Sequence, residues 1–399
     1  MGVRSNLLGT KLAVLGQGPL SGLVWRVLLS GLLLCGLSLC AAEPTSPPKP
    51  RSGRGFFYHH DEVPAIPWSI HVVRVDRSNP DLEFHTTLGK ATTLGLSTLS
   101  EQIKGLPADL GRPVAAINGD FWNEDTPIEG DPKGLQVSEG ELISGPCERA
   151  CFWLDAHGAP HLTNVLSKFA ATWPSGETIS FGLNERLTNN GAVLYTPATG
   201  TQAQMGKGLK YILERSRENS WLPLQLGQTL SARVREVRED DSLPVTRDRL
   251  MLALSPAVAA RLPKLNPGDV VTISTTTIPE MSGVKTALGG GPTLVHLGSP
   301  LQWNVPPPRH PRSAIGWNDQ YIFLVEVDGR QTGLSVGMSF PELADYLVRL
   351  GCKEALNLDG GGSSTLWVLG QVMNSPCYGH ERNMANALIL VRKDKTQQD

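Results

Sequence analysis

Concentrated charge is missing from this sequence. Its 36 basic and 38 acidic residues leave a formal net charge of −2 over 399 positions, and neither sign collects into a block. That excludes the positive face or stripe with which nucleic-acid binders track phosphates. A full-length apolar span is not found at the N-terminus either. The uncharged run Val27 to Leu39 is shorter than the ~18 to 20 residues that carry a helix across a bilayer. The glycines at 360 to 362 have no Lys after them and lack the G-x-G-x-x-G spacing, so neither common phosphate loop explains them. Cys147 and Cys151 lack zinc-ligand spacing and have no His-rich partner motif. Internal repeats and long low-complexity stretches are also absent.

What is present begins with an export signature. Arg4, Lys11 and Arg26 precede the apolar run, no acid occurs before Glu43, and Cys40, Ala41 and Ala42 are small. This pattern suits a signal peptide over 1–42 cleaved after Ala42, with an uncleaved anchor helix or a lipid-modified Cys40 as alternatives. Each of these exports the remainder of the chain. Membrane contact is expected only through this segment. Residues 43–55 are rich in Pro, Ser and basic side chains and read as an extended linker. Four cysteines remain beyond the leader. In an oxidising compartment they permit two disulfides, with 147–151 and 352–377 as the expected local pairs and buried free thiols as the alternative.

The 42 glycines and 30 prolines imply many turns and short strands. "WSIHVVRV", "DLEFHTTL", "PVAAIN", "DVVTISTTTI", "PTLVHLG", "YIFLVEV", "EALNL", "STLWVLG" and "NALILVR" all have strand composition. One helix stands out over 339–350. Ser339 and Glu342 form a capping box, Leu343, Tyr346, Leu347 and Leu350 make one apolar stripe, and Gly351 closes the end. "LKYILERSREN" is a candidate second helix. The expected class is α+β: a mixed β-sheet core with few helices, in a single catalytic domain over 56–395.

Polar residues that end short apolar strands are where such a scaffold presents chemistry. In "NLDGGGSSTLWV", a strand-like run meets Asp359, then Gly360, Gly361 and Gly362, then Ser363 and Ser364. Successive N–H groups in such a loop can cradle an anion beside the carboxylate; the plainer reading is a tight turn capped by Asp359. "AAINGDFWN" offers Asn118 and Asp120 to sugar hydroxyls and Trp122 as a flat face for a ring, or is simply a turn whose aromatics fold inward. "HPRSAIGW" places Arg312 at a rigid position able to fork onto phosphate, against the alternative of a solvated surface Arg. Asp328, Arg330, His380 and Arg382 end further segments. Together these residues point to an exported enzyme or binder of an anionic, sugar-containing ligand.

The ordered set "AAINGDFW", "GGGPTLV", "HPRSAIGW", "VEVDGRQTGLSVGMSFPELADYL" and "ALNLDGGGSSTLWV" resembles the phosphodiester glycosidase family over roughly Ile66 to Val391. The resemblance implies cleavage of a sugar–phosphate diester or phosphoglycan, releasing a sugar and leaving a phosphomonoester. Position by position it implies functional roles for Asn118, Asp120, Arg312, Asp328, Arg330, Asp359, the three glycines, Ser363 and Arg382. Under it, Asp359 is the expected nucleophile or general base, with Asp120 or Asp328 as orienter or second carboxylate. Arg312 and Arg382, with the 360–362 amides, are expected to hold the phosphate. No cofactor is required by the sequence; a divalent cation bridging an Asp and the phosphate is an open alternative without a spacing signature.

Two rivals come from other classes. "GLSVG" matches G-x-S-x-G, and Ser335, Asp359 and His380 follow hydrolase order, but no strand directly precedes the Ser and no helix directly follows it. The second is a non-catalytic envelope glycan or exopolysaccharide binder. Turnover separates it from the enzyme.

Overall fold

The computed structural model describes residues 52–393, except 54, 201–205, 217–220, 241–244 and 305–307. The expected leader lies outside the described residues, as does most of the 43–55 linker; within that linker, Ser52 and Gly53 pair with Phe57 and Phe56 at a sheet edge. The rest is mostly β. The described helices are Leu99–Lys104, Pro256–Ala259 and Phe340–Arg349, too few and too short to form a helical layer. The expectation of a sheet core with few helices holds in this coarser form.

Four sheets carry the fold. A central eight-stranded sheet is antiparallel throughout and sets Trp68–Asp76 beside Tyr321–Val327, then Arg312–Trp317, then Glu354–Asn357. A five-stranded sheet has Arg112–Asn118 between Leu366–Val368 and Ala387–Arg392. Side chains alternate across a strand, and both faces of Trp68–Asp76 are used. Val73 and Val75 join Ile117, Leu388 and Leu390 in the core between the two sheets. Ile70 and Val72 point the other way, toward Leu343 and Leu347 of the long helix. Those two leucines are fully buried, each contributing roughly 1.5–3 kcal/mol.

The 340–349 helix forms for the reasons its sequence gives. Ser339 Oγ accepts the Glu342 N–H, and the Glu342 carboxylate accepts the Ser339 N–H at 2.9 Å. Gly351 takes a φ of +85° just past its end.

The expected helix at "LKYILERSREN" is overturned. Leu209–Arg215 is a strand between Thr229–Arg238 and Leu250–Leu254, antiparallel to both. Tyr211 and Leu213 enter one core while Ile212 packs on another. A strand covered on both faces loses the period-two signal that separates it from a helix. Cys147, Cys151, Cys352 and Cys377 are free thiols, which corrects the disulfide expectation. Cys352 is buried under the long helix, in van der Waals reach of Gly316. Cys151 is buried and directs its thiol to the Thr163 carbonyl.

Candidate active site

Strand Arg112–Asn118 delivers the site's first fixed point. Asn118 is fully buried. Its amide donates to the Asp359 carbonyl at 2.7 Å, and its Oδ1 accepts the Ser313 hydroxyl at 2.6 Å and the Thr365 N–H at 3.1 Å. The Asp359 N–H in turn donates to the Gly119 carbonyl at 2.9 Å. Four chain segments are thereby tied where Asp359 leaves its strand. Asn118 is a positioning residue, without the expected sugar contact. Removing its amide strands two donors and an acceptor in the interior, at about 1–3 kcal/mol per orphaned group. Asn118→Ala is expected to lower unfolding free energy by at least about 3 kcal/mol, read from urea midpoints; a loss below about 1 kcal/mol contradicts this clamp.

Asp359 opens into a cavity of about 640 Å³ whose lining includes Phe121, Trp122, Asp131, Lys133 and Arg382. Arg382 Cζ lies over the Trp122 ring, 4.5 Å from its centroid, a cation–π contact. Its Nη1 donates to Ser363 Oγ at 3.4 Å and its Nη2 to Glu124 at 2.7 Å. Ser363 Oγ thus holds Arg382 on the side of Asp359, and hydroxyl and cation both favour the ionised carboxylate. Burial raises the Asp359 pKa above the usual carboxylate value, and the Ser363 hydrogen bond, Arg382, the Gly360 N–H and Lys133 oppose that rise. Cavity, carboxylate and one of the two expected arginines therefore coincide.

Asp120 sits just behind. It is fully buried, and its two oxygens accept N–H bonds from Phe121 at 2.8 Å and Gly134 at 2.7 Å. Gly134 and Gly289 make the room: a Cβ on either would fall within 2.8 Å of the Asp120 carboxylate. Burial pushes its pKa up to about 6, Arg149 pulls it down, and Asp359 adds to the rise.

Other expected residues do not converge on the cavity. Arg312 is buried; its guanidinium donates to the Met338 and Pro308 carbonyls at 2.9 Å each and lies 4.0 Å over Phe340. Those contacts use its fork inside the protein, which corrects the phosphate-clamp expectation. Asp328 is buried too, accepting Ser69 Oγ at 2.7 Å and the Ser375 N–H at 2.7 Å, with His71 Nε2 at 3.0 Å. It does not line the cavity, so its second-carboxylate role is also corrected. The glycine amides are largely spent at home: the Gly360 N–H donates to Asp359 Oδ1 and the Gly361 N–H to the Pro311 carbonyl. The loop's glycines are instead required by crowding. A Cβ on Gly362 would lie 2.3 Å from the Tyr378 ring, and one on Gly360 2.8 Å from the Pro311 carbonyl. Arg330 is exposed beside Gly361, with Nε donating to His310 Nδ1 at 3.3 Å. Ser335 is buried and donates to the Asp328 carbonyl at 2.6 Å, while His380 is exposed in a neighbouring hollow, so the serine-hydrolase constellation does not form.

The lining residues that carried no sequence motif include Lys133, Arg186 and Asp131. Asp131 is buried, accepts from Asn123 Nδ2 at 2.9 Å, and has its pKa pushed up to about 7 by burial, with Glu185 adding to the shift. The sign follows from proton counting. Its ordinary value is 3.8, so between these limits the folded chain holds a proton that the unfolded chain has lost. Its contribution to stability is full at low pH and is lost as pH rises toward 7. Asp131→Asn stays neutral throughout. It should gain stability relative to the parent between about pH 4 and about pH 8; a difference in urea midpoint that does not change with pH refutes this.

The cavity is polar and sets carboxylates beside cations and an indole face on a mostly β scaffold, a combination typical of ligand-handling sites. Residues 231–391 match the family described as phosphodiester glycosidase, a range that holds the expected motifs from Gly289 onward but not "AAINGDFW". A segment of 87 residues is 36% identical to the SPbeta prophage-derived uncharacterized protein YomE of Bacillus subtilis, spanning 22% of this chain and 13% of that one. A hypothetical protein from Synechocystis shares the fold with a TM-score of 0.69 at 21% identity, over 87% of this chain and 64% of that one. A Burkholderia pseudomallei protein described as exported does so with a TM-score of 0.63 at 21% identity, over 81% and 74%.

Proposed function

We propose that this chain is an exported hydrolase, with its catalytic domain over 56–395, that cleaves the bond between a sugar's anomeric carbon and the phosphate of a glycosyl phosphodiester. The observation that carries the reading is that Asp359, Arg382 and Trp122 line one cavity, with Arg382 held by Ser363. The family match over 231–391 supports the reaction class. Export is supported by the N-terminal pattern and by the exported description of the Burkholderia pseudomallei protein.

Ordinary glycosidases protonate a poor alkoxide leaving group with a carboxylic acid. Here the leaving group is a phosphate monoester, whose second pKa is about 6. It departs with little need of a proton, so the demand falls on cations at its oxygens. Arg382 meets that demand, with Lys133 as the second cation lining the cavity. Asp359 faces the anomeric carbon as nucleophile or as base to water. The carbon–oxygen bond breaks with its electron pair passing to the phosphate oxygen. Water supplies the new hydroxyl, and its proton leaves through the carboxylate. Asp120, behind Asp359, holds the fold of the pocket wall.

Hydrolysis of a sugar-1-phosphate diester in ¹⁸O-water tests this directly. The reading expects free reducing sugar and a phosphomonoester free of ¹⁸O. Label in the phosphate would mean attack at phosphorus and overturn it, and saturable binding without release would favour the glycan binder.

A further inference from the structure

A second cluster lies outside the cavity, on the central sheet. The register pairs Glu326 with His71 across adjacent strands, which places their side chains on one face. Asp328, two residues beyond Glu326, falls on the same face by strand alternation. All three are buried, and one ligand atom from each lies within 4.8 Å of the others. We propose that His71, Glu326 and Asp328 form a binding site for one divalent transition-metal ion of the Mn²⁺ or Zn²⁺ type.

Glu326 carries the inference. It is completely buried, and neither carboxylate oxygen meets a donor in hydrogen-bonding geometry; the Asn374 amide lies only near enough to favour the charge weakly. The other titratable groups acting on it are Asp328 and Cys377, and neither is a cation. Asp328 is met by Ser69, Ser375 and His71, but Glu326 has no such set of partners, and an interior carboxylate so placed costs several kcal/mol. One dication neutralises both and supplies the missing partner of Glu326. The histidine is already oriented for it. Tyr58 Oη lies 2.9 Å from His71 Nδ1, and the His60 ring stacks on the imidazole at 4.2 Å. His71 Nε2 now shares a proton with Asp328 Oδ2 at 3.0 Å; a bound ion would replace that proton, with Nδ1–H donated to Tyr58, the arrangement that surrounding groups impose on metal-bound imidazoles. One imidazole with two carboxylates suits a mid-row metal better than Ca²⁺ or Mg²⁺. Because the Ser375 N–H is held by Asp328, the ion would also brace the segment that leads to Arg382.

The test uses the full chain dialysed against EDTA and titrated with Co²⁺, then with Zn²⁺ and Mn²⁺ as competitors. The expected result is about one ion per chain, a visible Co²⁺ absorption band, and a raised Tm on metal addition. Glu326→Gln and His71→Gln should each weaken binding at least about tenfold. A folded parent that takes up no metal overturns the site, as does uptake unchanged in both variants. If neither variant folds, proton NMR of the Co²⁺-loaded parent decides: a solvent-protected, paramagnetically shifted imidazole N–H supports His71 as ligand, and its absence overturns the proposal. None of these readouts depends on glycosidase activity.

Discussion

Asp359→Asn is expected to reduce kcat for a glycosyl phosphodiester by at least about 10³-fold, with KM changed by less than about threefold. The amide matches the carboxylate in shape, so the Asn118 clamp on the residue 359 carbonyl and the Gly119 contact on its N–H survive. What is lost is the negative charge that the proposed mechanism sets against the anomeric carbon, where it matters in the transition state more than in the ground state. The raised pKa of Asp359 adds a pH signature. Activity requires the ionised form, so kcat/KM should fall as pH is lowered, with the acid limb centred above the ordinary Asp value of 3.8. Wild-type-like turnover by the Asn variant, with circular dichroism unchanged, would remove Asp359 from the chemistry.

The next largest effect belongs to Arg382. Arg382→Ala removes the guanidinium that lies over Trp122 and touches Ser363. Loss of one well-placed donor to a departing oxyanion lowers kcat by about 10²–10³-fold. Arg382→Lys should recover part of this, because charge is restored while the planar fork and its stacking are not. Half-exposed as it is, Arg382 contributes little to stability, so Tm should hardly move. If Arg382→Ala retained most activity while Lys133→Ala lost it, the phosphate would be assigned to the lysine.

The parts of this site that were legible in the sequence are those whose chemistry is compressed into one short segment. Asp359 stands where a strand breaks into glycines and hydroxyls, and Ser363 and Arg382 do meet it. The capping box of the 340–349 helix was equally local. Arg312 and Asp328 were misplaced for the opposite reason. Their partners are the Pro308 and Met338 carbonyls, His71 and the Ser375 amide, and no spacing rule brings these together. The glycine run was rightly marked as special, but its purpose is to let Tyr378 and Pro311 approach. Lys133 and Asp131 could not have been singled out. They come from a loop without a motif and gain meaning only from the cavity they line. The 209–215 strand was hidden because both of its faces are covered.

The bond from Asn118 to Asp359 joins residues 241 positions apart, and the strand bearing Asn118 hydrogen-bonds with Ala387–Arg392. Nothing upstream can substitute for those late partners. A growing polypeptide would therefore carry Asp120 and Trp122 long before it owned Asp359, and the pocket would close only once the strand Ala387–Arg392 was available. Large loop-closure entropy must be met at that final step. Maturation of the pocket should accordingly lag behind the acquisition of bulk secondary structure, and a chain cut before residue 387 would lack the partner strand of Arg112–Asn118 however well its earlier sheets had formed.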